Sequence, residues 1–161
     1  MAAVVLLLIG GVAWILIAPG RRFLPQFAGL LTDAAIHAGP ATLFSGRSYA
    51  TGTYKGREVV VRLKLRRGNH DLGHLVIAVR TADALTLDNS GIEARTRDDE
   101  GRRALVSIVR HELLLTVEEG WLKALWRPLG FRVFPGSFSD AKWREVLEAM
   151  HAVASSLDTA A

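Results

Sequence analysis

The chain opens on an unbroken apolar run, Ala2 to Ala18, and only after Pro19-Gly20-Arg21-Arg22 does it settle into shorter alternating patterns. Seventeen apolar residues make roughly 26 Å of helix, at the short end for a ~30 Å hydrocarbon core. The run therefore predicts a transmembrane helix. Residues 23–38 carry Phe23, Phe27, Leu30, Leu31, Ala34 and Ala35 at helical spacing, interrupted near Pro25 and ended by Gly39-Pro40. A juxtamembrane helix is expected there.

Period-2 patterning follows. Ser48–Tyr54 and Arg57–Arg66 flank Lys55-Gly56, a two-residue hairpin turn. In the second of these strands Val59, Val61, Leu63 and Leu65 share one face, while Val60, Arg62, Lys64 and Arg66 share the other. A loop at 67–71 leads into a third strand, Leu72–Thr81, with Leu75, Ile77 and Val79 inward. Weaker strands are expected at Leu85–Asp88 and Ile92–Thr96. Asp98-Asp99-Glu100 opens a helix to about Val109, its acids complementing the dipole and Ala104, Leu105, Ile108 and Val109 its core face. A second hairpin, Glu112–Glu118 and Trp121–Arg127, turns through Glu119-Gly120, and Phe131–Phe134 reads as a last short strand. The final helix starts at a capping box, Ser137 to Asp140, and repeats Trp143, Val146, Leu147, Met150, Val153, Ala154 and Leu157 at three- and four-residue steps.

The N-terminal run differs from a cleaved signal peptide. No Lys or Arg precedes it, and cleavage after Ala18 would set Leu16 at −3 and Pro19 at +1. With Arg21 and Arg22 directly behind it, the positive-inside rule places the rest of the chain in the cytoplasm. The absence of cysteine fits a reducing compartment and excludes a lipid-modified cysteine. Arg outnumbers Lys 16 to 4, the mark of a GC-rich bacterial genome, so the expected location is a bacterial inner membrane. The organisation read from these patterns is an anchor with its basic stop at 1–22, a juxtamembrane helix and linker at 23–45, and a soluble domain at 46–161.

The net charge of +4 is unevenly spread. Residues 19–67 hold nine Lys/Arg against Asp33 and Glu58, a net +7; residues 68–161 hold eleven against fourteen acids, a net −3. The basic half lies nearest the anchor, where anionic lipid attracts each basic group by about 1 kcal/mol.

The stretch Gly52-Thr-Tyr-Lys-Gly-Arg-Glu-Val59 resembles bacterial membrane-anchored proteins in which a Gly-Thr-Tyr-basic-Gly-Arg hairpin opens a β-rich domain. The downstream order over residues 45–157 is similar too, with an acidic-start helix, a Glu-Gly hairpin and a final helix. Glu58 departs from the Pro common at that place. The resemblance implies an architecture and no activity.

Candidate chemistry is sparse. His70, Asp71 and His74 pair imidazole with carboxylate and could serve a metal-dependent hydrolase, but they sit in a Gly/Asn/His/Asp turn with no fourth ligand in view. No cofactor is expected. Arg62, Lys64 and Arg66, with Arg21 and Arg22, form a basic surface that could meet anionic lipid or a partner; half-exposed antiparallel sheets often carry such a solvated face. Nucleic acid is disfavoured because no binding motif and no interleaved aromatics accompany the charges. There is no G-x-S-x-G, no phosphate-binding G-x-x-x-x-G-K-[ST] and no G-x-G-x-x-G. The expected fold is α+β: the transmembrane helix, then a mainly antiparallel sheet of five to seven strands covered by a C-terminal amphipathic helix. The expected function is non-enzymatic, a single-pass membrane protein whose soluble domain is a protein-interaction or scaffold module in a membrane complex. The alternatives are a module that binds anionic lipid through its basic half, and the hydrolase.

Overall fold

The computed structural model describes residues 24–37, 48–64, 74–110, 113–126 and 139–160. The apolar run, Arg21, Arg22, Arg66, His70, Asp71, the expected strand at 131–134 and Ser137 lie outside them. Among the described residues no helix is long and apolar enough to cross a membrane.

Two hairpins set the frame. Strands β2 (Ser48–Tyr54) and β3 (Arg57–Lys64) are joined by Lys55 and Gly56, with φ of 48° and 81°. The chain also forms β5 (Leu113–Glu118) and β6 (Trp121–Trp126), which turn through Glu119 and Gly120 at 53° and 78°. Two successive positive φ angles give the turn whose twist matches that of the strands, and the second position is easiest for glycine. With β1 (Thr32–His37) and β4 (His74–Arg80) these strands build one sheet in the order β1-β2-β3-β4-β6-β5, every neighbouring pair antiparallel.

The alternation read from the sequence holds on the inner face. Ala50, Val61, Ile77, Ala124 and Leu115 are cross-strand neighbours in one row, Val59, Val79, Leu122 and Val117 in the next, and all are buried. Three helices among the described residues follow: α1 (Asn89–Arg95), α2 (Asp99–Arg110) and α3 (Asp140–Thr159). The Trp143, Val146, Leu147, Met150, Val153, Ala154 and Leu157 stripe of α3 is buried in the same core as those rows. Trp143 is 2% exposed and meets Phe27 edge-on at 5.6 Å between centroids. An α+β fold with a six-stranded antiparallel sheet is thus what the chain forms.

Several local expectations are corrected. The helix expected over 23–38 is a helical turn at 24–28, after which Thr32–His37 is strand β1. Leu24 and Phe27 are fully buried, so the apolar spacing is satisfied by that single turn. Beyond it, pairing with β2 satisfies the backbone, with Asp33 at φ 52° where the register shifts between Thr32 and Ala35. The sheet therefore begins at Thr32. Residues 92–96 are not a strand: Asp88 accepts a hydrogen bond from the Gly91 amide at 2.8 Å and caps α1. At 85–88 only Leu87 bridges to a strand, pairing with Val117. Val109, expected on the core face of α2, is 58% exposed: the buried stripe runs through Gly101, Ala104, Leu105 and Ile108, and one more residue at about 100° per step turns Val109 out of it. The cap of α3 is Ser139, whose hydroxyl accepts from the Lys142 amide.

Candidate functional site

The Gly-Thr-Tyr-Lys-Gly-Arg stretch locks the β2–β3 hairpin onto the C-terminal helix. Arg57 reaches the Asp158 carboxylate at 2.6 Å and donates to Ser155 Oγ at 3.2 Å and to the Arg80 carbonyl at 3.1 Å. Asp158 also accepts from the Ala82 amide at 2.8 Å. The pair is 21% and 16% exposed, so water screens it only partly. Tyr54 donates to Glu148 at 3.4 Å, and His151 stands edge-on to its ring. Burial, then the Glu148 charge, raises the Tyr54 pKa. Burial, then the Arg57 and Lys55 charges, lowers that of His151. Perturbed groups gathered in one place often mark a site. Here Arg57 and Asp158 spend their bonds tying β3, β4 and α3 together, so this cluster holds the fold.

A cleft of about 580 Å³ lies where α1, α2 and the end of α3 meet, lined by Arg95, Arg97, Asp98, Ser156, Thr159 and Ala160. Asp98 caps α2, accepting from the Gly101 amide at 2.8 Å and from the Ser156 hydroxyl. Those bonds, Ser156 first, lower its pKa. Arg95 Nη1 is buried without a hydrogen-bond partner. Its charge favours an anion in the cleft, and the Asp98 carboxylate opposes one.

The face of the sheet opposite the core is the third feature. Register places Tyr49, Arg62, Val76, Leu125 and Leu114 side by side across five strands, and His37 stacks on Tyr49 at 4.4 Å. Leu114 is 58% exposed; Tyr49, Val76 and Leu125 are half-buried. A solvated sheet face normally alternates to polar residues. This row is apolar and aromatic except for Arg62 and His37. Nearer the hairpin turns the same face becomes polar: Arg80 lies over the Trp121 ring at 5.0 Å, and Lys123 pairs with Glu118.

Of the basic surface read from the sequence, Arg62 is exposed on this outer face, away from the helices. Lys64 and His74 end β3 and begin β4, opposite each other in register, and their side chains lie outside the described set. Val60, read onto the same face as Arg62, is 9% exposed and flanked by Thr51 and Ala78. No group of three His, Cys, Asp or Glu able to hold a metal occurs among the described residues. In the sequence Leu114 stands out only with Trp121, Leu122 and Trp126, as hairpin core or, second, a partner surface; the row escapes such reading because its members come from different strands and only register brings them together.

No family model matches the chain, and neither a curated protein nor a solved structure matches it.

Proposed function

We propose that this chain is a single-pass protein of a bacterial inner membrane whose α+β domain works as a protein-interaction module on the cytoplasmic side. The observation that carries the reading is the row of Tyr49, Arg62, Val76, Leu125 and Leu114 on the sheet face opposite the helices, which no helix among the described residues covers. Aromatic, aliphatic and Arg side chains side by side have the composition of a binding patch, in which Tyr and Arg are frequent hot spots. The Ala2–Ala18 run followed by Arg21 and Arg22 supports the anchor and its direction.

A photo-crosslinking residue at Leu114 or Leu125, in the full chain in its own membrane, tests this. A protein adduct of discrete mass is expected from both positions and not from Glu93, an exposed residue of α1. Leu114→Asp should abolish the adduct at Leu125 without lowering the thermal midpoint, because Leu114 contributes little to the core. Equal labelling from Glu93, or none from either leucine, would refute the docking role. Reporter fusions at the C-terminus test the topology separately, an external signal overturning the cytoplasmic placement.

A further inference from the structure

Helix α2 buries Gly101, Ala104, Leu105 and Ile108 and leaves Arg102, Arg103, Val106, Val109 and Arg110 exposed on the opposite side. Val106 and Val109 are 53% and 58% exposed. At 3.6 residues per turn, Val106 stands between Arg102, Arg103 and Arg110, and Val109 adjoins it. Asp99 is the acid on that side, with Arg103 Nε bonded to its carbonyl at 3.2 Å. A single exposed valine needs no explanation, but two adjoining valines ringed by three arginines match a helix lying in a membrane interface.

The fold sets this face beside the chain's entry from the N-terminal run. Helices α2 and α3 run antiparallel: Ser156 bonds Asp98 at one end, and Ser107 donates to Glu145 at 3.0 Å at the other. The first turn of α3 also holds the 24–28 turn, through Gln26 to Asp140 and Phe27 to Trp143. The C-terminal half of α2, with Val106, Val109 and Arg110, is therefore next to the helix end at which Leu24 enters the domain. From Ala18 to Leu24 the chain spans at most about 20 Å even when fully extended.

We infer that the exposed face of α2 lies on the anionic surface of the bilayer that holds the N-terminal run. The inference rests on the anchor proposed above. The domain is then pressed to the membrane by its helix layer, and the Tyr49–Leu114 row of the opposite sheet face is turned toward the partner. Each arginine beside an anionic leaflet is worth roughly fivefold, so three together shift the docked-to-free ratio about a hundredfold.

The test uses the full chain in nanodiscs. The sequence has no cysteine, so a single introduced one can carry an environment-sensitive fluorophore. Labels go at Val106→Cys, at Glu58→Cys on the outer sheet face, and at Leu8→Cys in the run. Quenching by brominated lipid is compared between phosphatidylcholine discs and discs that also contain phosphatidylglycerol. Strong quenching at 106 in the anionic discs, weak in the neutral ones, and none at 58 is expected. It should fall to the neutral level in Arg102→Glu/Arg103→Glu/Arg110→Glu and when salt is raised in the unaltered chain. The Gln triple variant, which removes the same three charges without adding repulsion, should also fall to the neutral level, and it keeps the test open if the Glu variant does not fold. Quenching at 8 with none at 106 in anionic discs overturns the docking while leaving the anchor. No quenching at 8 either removes the anchor and the inference together.

Discussion

Gly101→Ala is a substitution in which two well-known effects oppose each other, and the structure says which wins. Gly101 is a buried residue in the first turn of α2. Replacing a helical glycine by alanine gains roughly 1 kcal/mol of helix propensity, less toward a helix end. A Cβ at this position, however, would stand 2.5 Å from Thr96 Cγ2, 2.9 Å from Asp98 Oδ1 and 2.9 Å from Ser156 Cβ. Thr96 is fully buried with its hydroxyl bonded to the Ile92 carbonyl, and Ser156 is fixed on α3, so neither yields cheaply. Overpacking of this kind costs about 1–3 kcal/mol, and here it also strains the Asp98–Ser156 hydrogen bond. The net expectation is a loss of about 1–2 kcal/mol, a fall in thermal midpoint of several degrees for a domain of this size. Far-UV circular dichroism of the full chain on heating reads it directly. The double variant Thr96→Ser/Gly101→Ala removes the closest contact while keeping the hydroxyl. It should recover part of the loss beyond the sum of the single effects. A raised midpoint in Gly101→Ala would mean that α2 and α3 do not approach closely here.

Trp143→Ala should cost about 3–5 kcal/mol, since the buried ring packs on Phe27 and links the 24–28 turn to α3; an unchanged midpoint would displace it from the core. Arg57→Ala should cost on the order of 2 kcal/mol by leaving the largely buried Asp158 carboxylate without its cation, and guanidinium denaturation with an unaltered midpoint would refute the clamp. The folded-state pKa of His151 lies below its unfolded value, so its stabilising effect is complete above about pH 6.5 and is lost as pH falls through the folded value. The midpoint should drop as pH falls below about 6.5, and His151→Phe, which cannot take the proton, should flatten that part of the profile. Asp98 adds a second loss at lower pH: its pKa is depressed too, so its contribution is present above about pH 4 and disappears in acid.

Much of the fold was written locally. Alternation fixed which side of β3, β4, β5 and β6 faces the core, because a strand's side chains switch faces at every residue and one face here is apolar. Lys55-Gly56 and Glu119-Gly120 marked both tight turns, and the heptad-like stripe from Trp143 to Leu157 marked the buried side of α3. The mistakes fell where local signals were ambiguous. Ala34 and Ala35 fit a helix as well as a strand, and only the unpaired edge of β2 drew residues 32–37 into the sheet. Ile92 reads as a strand residue until Asp88 caps the turn before it.

Other features have no local signature. The strand order sets β6 beside β4 and leaves β5 at the edge, because α1 and α2 intervene before the second hairpin returns to the sheet. That order alone brings Tyr49, Arg62, Val76, Leu125 and Leu114 into one row, and it separates Arg62 from the basic face of α2. Residue pattern along a chain determines which side of each element is apolar. Which apolar sides meet, and which apolar residues among those described remain exposed, depends on contacts between residues far apart in sequence, and the tertiary structure decides it.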